Sequence, residues 1–87
     1  MGGKQTWRAD VYVALKASVN DPQGLAVRDG LHRLGYEEVA RVRVGRYIQV
    51  WLEAADEATA AARVREMCER LLANPVIEEY RFKVVGE

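Results

Sequence analysis

The 87-residue sequence predicts a small α+β domain in which two strand–helix–strand units follow one another, β-α-β-β-α-β. Three observations carry that expectation: apolar residues at period two near both ends of the chain, two stretches of helical spacing, and turn chemistry at the junctions. Successive strand side chains point to opposite faces, so a strand that is apolar on one side packs a core on that side alone.

Trp7, Ala9, Val11, Val13 and Leu15 share one face of the first strand, with Arg8, Asp10, Tyr12 and Ala14 on the other. Residues 1–6 lack a sustained apolar pattern and read as a disordered extension, which leaves 7–87 as a single domain. In Asn20-Asp21-Pro22-Gln23-Gly24, Asp21 can accept hydrogen bonds from free backbone N–H groups and Pro22 suits the first helical position. Val27, Leu31 and Leu34 follow at spacings of four and three, and Gly35 can take the left-handed conformation that ends a helix, so the first helix covers Pro22 to Leu34.

Val39, Ala40, Val42 and Val44 form a short second strand with Arg41 and Arg43 facing away, and Gly45-Arg46 reads as a hairpin turn. In the third strand Ile48, Val50 and Leu52 face one side and Tyr47, Gln49, Trp51 and Glu53 the other. Asp56 caps a second helix with the stripe Ala60, Val64, Met67, Cys68 and Leu71, while Arg65 and Glu69 are spaced to pair on its outer face. Asn74-Pro75 stops that helix. In the last strand Val76, Tyr80, Phe82 and Val84 alternate with Ile77, Arg81 and Lys83.

Right-handed crossovers interleave the two units into a four-stranded antiparallel sheet with both helices on one face, the ferredoxin-like arrangement. The other face is left open. It carries Tyr12, Tyr47 and Trp51 on the central strands, with Arg41, Arg43, Arg81 and Lys83 on the flanking ones. Such a patch of rings marks a partner. A chain of this length buries only about 60 to 65% of its unfolded surface, which points the same way.

Lys+Arg 13 balance Asp+Glu 13, so no general attraction draws the chain to phosphate backbones. An RNA-binding or regulatory module using the aromatic face is the alternative reading, but Gly45-Arg46-Tyr47 does not match the order of the RNA-recognition motif, and no nucleic-acid partner is expected. No apolar run approaches the roughly 20 residues of a membrane span, and no secretory leader is visible, so no membrane contact is expected and the chain is placed in the cytoplasm. Cys68 and His32 are the only residues of their kinds, which excludes an internal disulfide framework and argues against a metal site built by this chain. Cys68 reads as a small core hydrophobe and His32 as a surface or interface residue. Glu37-Glu38 and Glu78-Glu79 diverge to opposite faces and read as solubilising. At Asp21 to Gly24 the carboxylate competes with any anion for the free N–H groups. No nucleophile, base and oxyanion donors converge, so no catalytic residue is assigned.

The runs Asp21-Pro22-Gln23-Gly24, Leu34-Gly35-Tyr36, Val42-Arg43-Val44-Gly45-Arg46-Tyr47-Ile48, Met67-Cys68 and Leu71-Leu72-Ala73-Asn74-Pro75-Val76-Ile77-Glu78-Glu79-Tyr80 together closely resemble the PurS family, the small subunit of phosphoribosylformylglycinamidine synthase, from about Val11 to Phe82. The resemblance implies a noncatalytic bridging subunit of a purine-biosynthesis ligase that converts formylglycinamide ribonucleotide to its amidine with ATP and ammonia from glutamine. It implies a homo-oligomer, dimer or dimer of dimers, joining a PurL-type synthase to a PurQ-type glutaminase and supporting ammonia delivery. It implies that no cofactor is bound by this chain and that ATP and Mg are used by the assembled complex. Tyr12, Tyr47 and Trp51 are then candidate self-association or partner residues, with Arg43 and Arg46 as polar contacts.

Overall fold

A computed structural model describes residues 4–87. The chain forms β1 (Gln5–Leu15), α1 (Pro22–Arg33), β2 (Gly45–Ala54), α2 (Glu57–Met67), a π-helical turn (Cys68–Leu72) and β3 (Glu78–Gly86). The α+β class with an antiparallel sheet and two helices is as expected, but among the described residues the sheet has three strands, in the order β2-β1-β3. The expected disordered extension falls partly on residues 1–3, which lie outside the described residues; Gln5 and Thr6 pair in β1 opposite Ala54 and Glu53.

Register follows the apolar alternation. Val11 sits between Ile48 and Phe82, Ala9 between Val50 and Val84, and Val13 between Arg46 and Tyr80, which puts the apolar positions of all three strands on one face. α2 lies across that face. Asp56 starts it by accepting from Thr59 N at 2.7 Å; Ala60, Val64 and Cys68, one turn apart, are fully buried, the last two in one cluster with Ala9, Val11 and Val13.

Leu71 departs from the expected stripe and is 83% exposed, because the helix widens there: Ala73 N donates to Cys68 O at 3.0 Å, five residues back. One extra residue per turn rotates Leu71 away from the sheet and carries Leu72 onto the core. Arg65 and Glu69 do not pair as spaced. Arg65 lies over the Phe82 ring at 5.6 Å and Glu69 accepts from the Tyr80 hydroxyl at 2.6 Å, since strand side chains beside the helix offer nearer partners. Val76 and Ile77, expected in the last strand, precede it: Asn74 folds back onto the Val76 N–H through Oδ1 at 3.1 Å, a side-chain turn that delays β3 to Glu78.

The largest departure concerns residues 39–44. Among the described residues no ladder pairs them with the sheet, and the hairpin at Gly45 does not form. Gly45 is instead the first residue of β2, opposite Ala14, where a Cβ would run into the Val13 carbonyl. The segment returns along α1. A Cβ at Gly24 would meet the Val42 carbonyl, and the His32 imidazole Nε2 lies 2.7 Å from Val39 O. α1 itself starts as expected, with Asp21 Oδ1 accepting from Gly24 N at 2.9 Å, and ends at Gly35 with φ 101°. It does not join α2 on the sheet. Helix and returning segment together form an arm that stretches the molecule to 60 × 26 × 14 Å, with a radius of gyration of 17.2 Å, against about 12 Å for a compact chain of this length.

Candidate interaction surfaces

The uncovered sheet face is built in cross-strand rows. Tyr47, Tyr12 and Arg81 form one row, Gln49, Asp10 and Lys83 the next, and Trp51, Arg8 and Val85 the third. The Tyr12 and Tyr47 rings stack at 5.1 Å, and the Arg81 guanidinium lies 4.5 Å from the Tyr12 centroid. Trp51 Nε1 donates to Glu87 Oε1 at 3.2 Å. The expected apolar patch is therefore a network of rings and ionic groups, with Tyr47 and Trp51 each 55% exposed.

Asp10 is its centre, a role the sequence reading did not assign. Its carboxylate is buried and accepts from Arg8 Nε at 3.1 Å, Tyr47 OH at 3.2 Å and Gln49 Nε2 at 3.3 Å, with Lys83 Nζ 4.0 Å away. Burial pushes this carboxyl up, but the hydrogen bonds from Gln49 and Arg8, the Arg8 charge and the Tyr47 hydroxyl outweigh it and hold the group below the usual carboxylate range. Burial and the Asp10 carboxylate push the Tyr47 hydroxyl the other way. The available signal was an aspartate in mid-strand two residues from an arginine.

Arg43 and Arg46 do not join this face. With residues 39–44 outside the sheet, Arg43 anchors the arm, donating to Leu15 O and Lys16 O at 2.9 Å and to Val19 O at 3.3 Å; Arg41 is likewise off the sheet. Arg46 projects to the helix side and donates to Glu78 at 2.8 Å and to Leu72 O at 2.8 Å, holding the end of the π turn. Glu78, read as merely solubilising, is thus a structural acceptor: the Arg46 guanidinium and the Asn74 N–H hold its carboxyl below the usual range. Asp21 holds the arm in the same manner, its second oxygen accepting from Val44 N at 2.9 Å, and the N–H groups of Val44 and Gly24 depress its pKa. Cys68 is buried, which pushes its thiol up, as befits a core residue.

A second surface lies on the covered side. α2 leaves a groove beside β2, about 340 Å³ in volume and lined by Val50, Met67, Leu71 and Leu72 together with Arg63, Glu66 and Arg70. Leu25, Val27 and Leu34 of the arm are themselves exposed. Among the described residues no three His, Cys, Asp or Glu side chains group as metal ligands, and no helix is long and apolar enough to cross a membrane.

The family model for PurS, phosphoribosylformylglycinamidine (FGAM) synthase, matches residues 8–86. The phosphoribosylformylglycinamidine synthase subunit PurS of Synechocystis sp. is 51% identical over 81 residues, 93% of this chain and 81% of that one. The structure of Bacillus subtilis PurS superposes with a TM-score of 0.79 at 50% identity, covering 90% of this chain and 96% of that one. A chain in the structure of PurLQS from Thermotoga maritima gives 0.84 at 30% identity, covering 92% and 98%. Matched along nearly its whole length in sequence and in fold, this chain belongs to the PurS family of phosphoribosylformylglycinamidine synthase subunits.

Proposed function

We propose that this chain is the noncatalytic bridging subunit of a phosphoribosylformylglycinamidine synthase, an ATP-dependent ligase of purine biosynthesis that takes its nitrogen from glutamine. In this reading it works in the cytoplasm as a homo-oligomer, joins a PurQ-type glutaminase to a PurL-type synthase and supports ammonia transfer between them. ATP and magnesium are used by the assembled complex and not held by this chain. Likeness to a chain of PurLQS supports the larger partners.

The observation that carries the reading is the mismatch between arm and sheet. Among the described residues, 39–44 have no strand partner, the outer edge of β2 has no neighbouring strand, α1 does not pack on the sheet, and nothing covers the groove at Val50, Met67, Leu71 and Leu72. A second copy supplies all four at once. The arm of each protomer reaches across the other, with the 39–44 segment along the partner's β2 edge and α1 over its groove, the two-fold exchange in which both subunits use the same contacts. Tyr12, Tyr47 and Trp51 then remain on the outside for the larger subunits or a second dimer, while Arg43 and Arg46 orient the elements behind them. The RNA alternative is disfavoured, since Tyr12 is already flanked by Tyr47 and Arg81 and offers no free face for a base.

Reconstitution tests the function. Glutamine-dependent turnover by the large and glutaminase subunits should require this chain, and full activity without it would reject the proposal. Trp51→Glu should weaken co-elution with those subunits; unchanged complex formation removes the open face from the interface.

A further inference from the structure

The base of the arm encloses a cleft of about 390 Å³ between the loop of Ala17 to Asn20, the start of α1 and the returning segment. Arg28, Arg41 and Arg43 line it together with Ser18, Asn20 and Asp21. The three guanidinium groups face a single carboxylate, and Asp21 has both oxygens committed to the N–H groups of Gly24 and Val44. Arg43 is turned onto the carbonyls of Leu15, Lys16 and Val19, so the wall it forms is built in advance. The other two arginines make no contact across the cleft. Arg41 makes no ion pair among the described residues, and Arg28 reaches only its neighbour Asp29, at 3.3 Å. Arg28 Nε is sealed from solvent without a hydrogen-bond partner, the kind of donor that costs free energy until an acceptor meets it.

We propose that this cleft binds a phosphate-bearing small molecule, with the phosphoryl oxygens accepting from Arg28 and Arg41 and the Ser18 hydroxyl and Asn20 amide completing the donor set. The excess of positive charge matches a dianion better than a single carboxylate, and guanidinium forks fit the edges of a phosphoryl group. The volume suits a small ligand and is too small for a macromolecular surface. All of these residues come from one chain, so the site does not depend on the larger subunits.

The test is a titration of the isotopically labelled full chain, followed by amide resonances, with inorganic phosphate, ribose 5-phosphate and glutarate in turn at constant ionic strength. Saturable shifts should appear at Ser18 to Asp21 and at Arg41 to Arg43, with a dissociation constant on the order of 1 mM for inorganic phosphate and tighter binding of ribose 5-phosphate. Arginines do not titrate in this range, so affinity should rise from about pH 6 to about pH 8 as the ligand completes its second ionisation. Arg28→Gln and Arg41→Gln should each weaken binding roughly tenfold. Arg41 is exposed, so its substitution leaves the fold intact and decides the matter if Arg28→Gln does not fold. Shifts that do not saturate, equal binding of glutarate, or undiminished affinity in Arg41→Gln would overturn the proposal.

Discussion

The sheet body and the arm are held together by different physics. In the body, Val11, Val64 and Cys68 are fully buried, and the strands and α2 bury their apolar faces against one another. In the arm, among the described residues, Gly24 is the one buried position of α1, and the helix and returning segment are tied by polar links through Asp21, His32 and Arg43. Hydrophobic burial supplies most of the stability of a small domain, whereas single hydrogen bonds add little net. A region held largely by hydrogen bonds, with Leu31, Val39, Val42 and Val44 only half-buried and Leu25, Val27 and Leu34 exposed, is preorganised in shape and unfinished in energy. That combination is what an arm that completes itself on another molecule requires.

The sharpest way to break the contrast is a cavity in the body. Val64→Ala should cost about 2 to 3 kcal/mol in urea unfolding, whereas Val27→Ala in the arm should cost under about 1 kcal/mol when the protein is dilute and dissociated. Equal losses would mean that the arm has a core of its own. Next in size is association. Leu71→Glu places a charge in the groove that we assign to the partner's α1, and should weaken self-association by about 2 kcal/mol while leaving the unfolding of the separated chain nearly unchanged. Sedimentation across a dilution series reads the first quantity, and a wild-type association constant in the variant would count against the groove.

A smaller effect isolates the polar ties. Asp21→Asn keeps one carbonyl oxygen for Gly24 N but turns an amide donor toward Val44 N, so amide exchange at Gly24 and Val44 should quicken roughly tenfold while the β1 amides stay protected. Exchange that rises equally in both regions would merge them into one cooperative unit. The smallest change comes with acid. Asp10, Asp21, Asp56 and Glu78 all have folded pKa values below their unfolded ones, so their contribution is complete above about pH 5 and is lost as pH falls through the folded values. Melting should be flat from neutral pH to about pH 5 and decline below it; a maximum near pH 3 would contradict these assignments.

Much of this molecule can be read from local chemistry. Asp21 and Asp56 begin the helices, Gly35 ends one, and the alternation of Val11, Val13, Ile48, Val50, Phe82 and Val84 sets the core face, because capping, backbone freedom and side-chain period act within a few residues. The open face was legible as Tyr12, Tyr47 and Trp51, since those positions follow from the same alternation. Asp10 was missed because its burial depends on Arg8, Tyr47 and Gln49, two of them on another strand.

By itself, then, the sequence determined the two helices, three of the four expected strands, most of the inward faces and the membership of the family. Only the tertiary structure decided that residues 39–44 leave their own sheet, that Leu71 turns outward on a π-helical turn, and that three arginines meet at the base of the arm. The reason is one of range. A strand pattern states which face wants burial but not which edge, or whose, provides it, and a helical repeat of 3.6 residues cannot announce the one turn that departs from it.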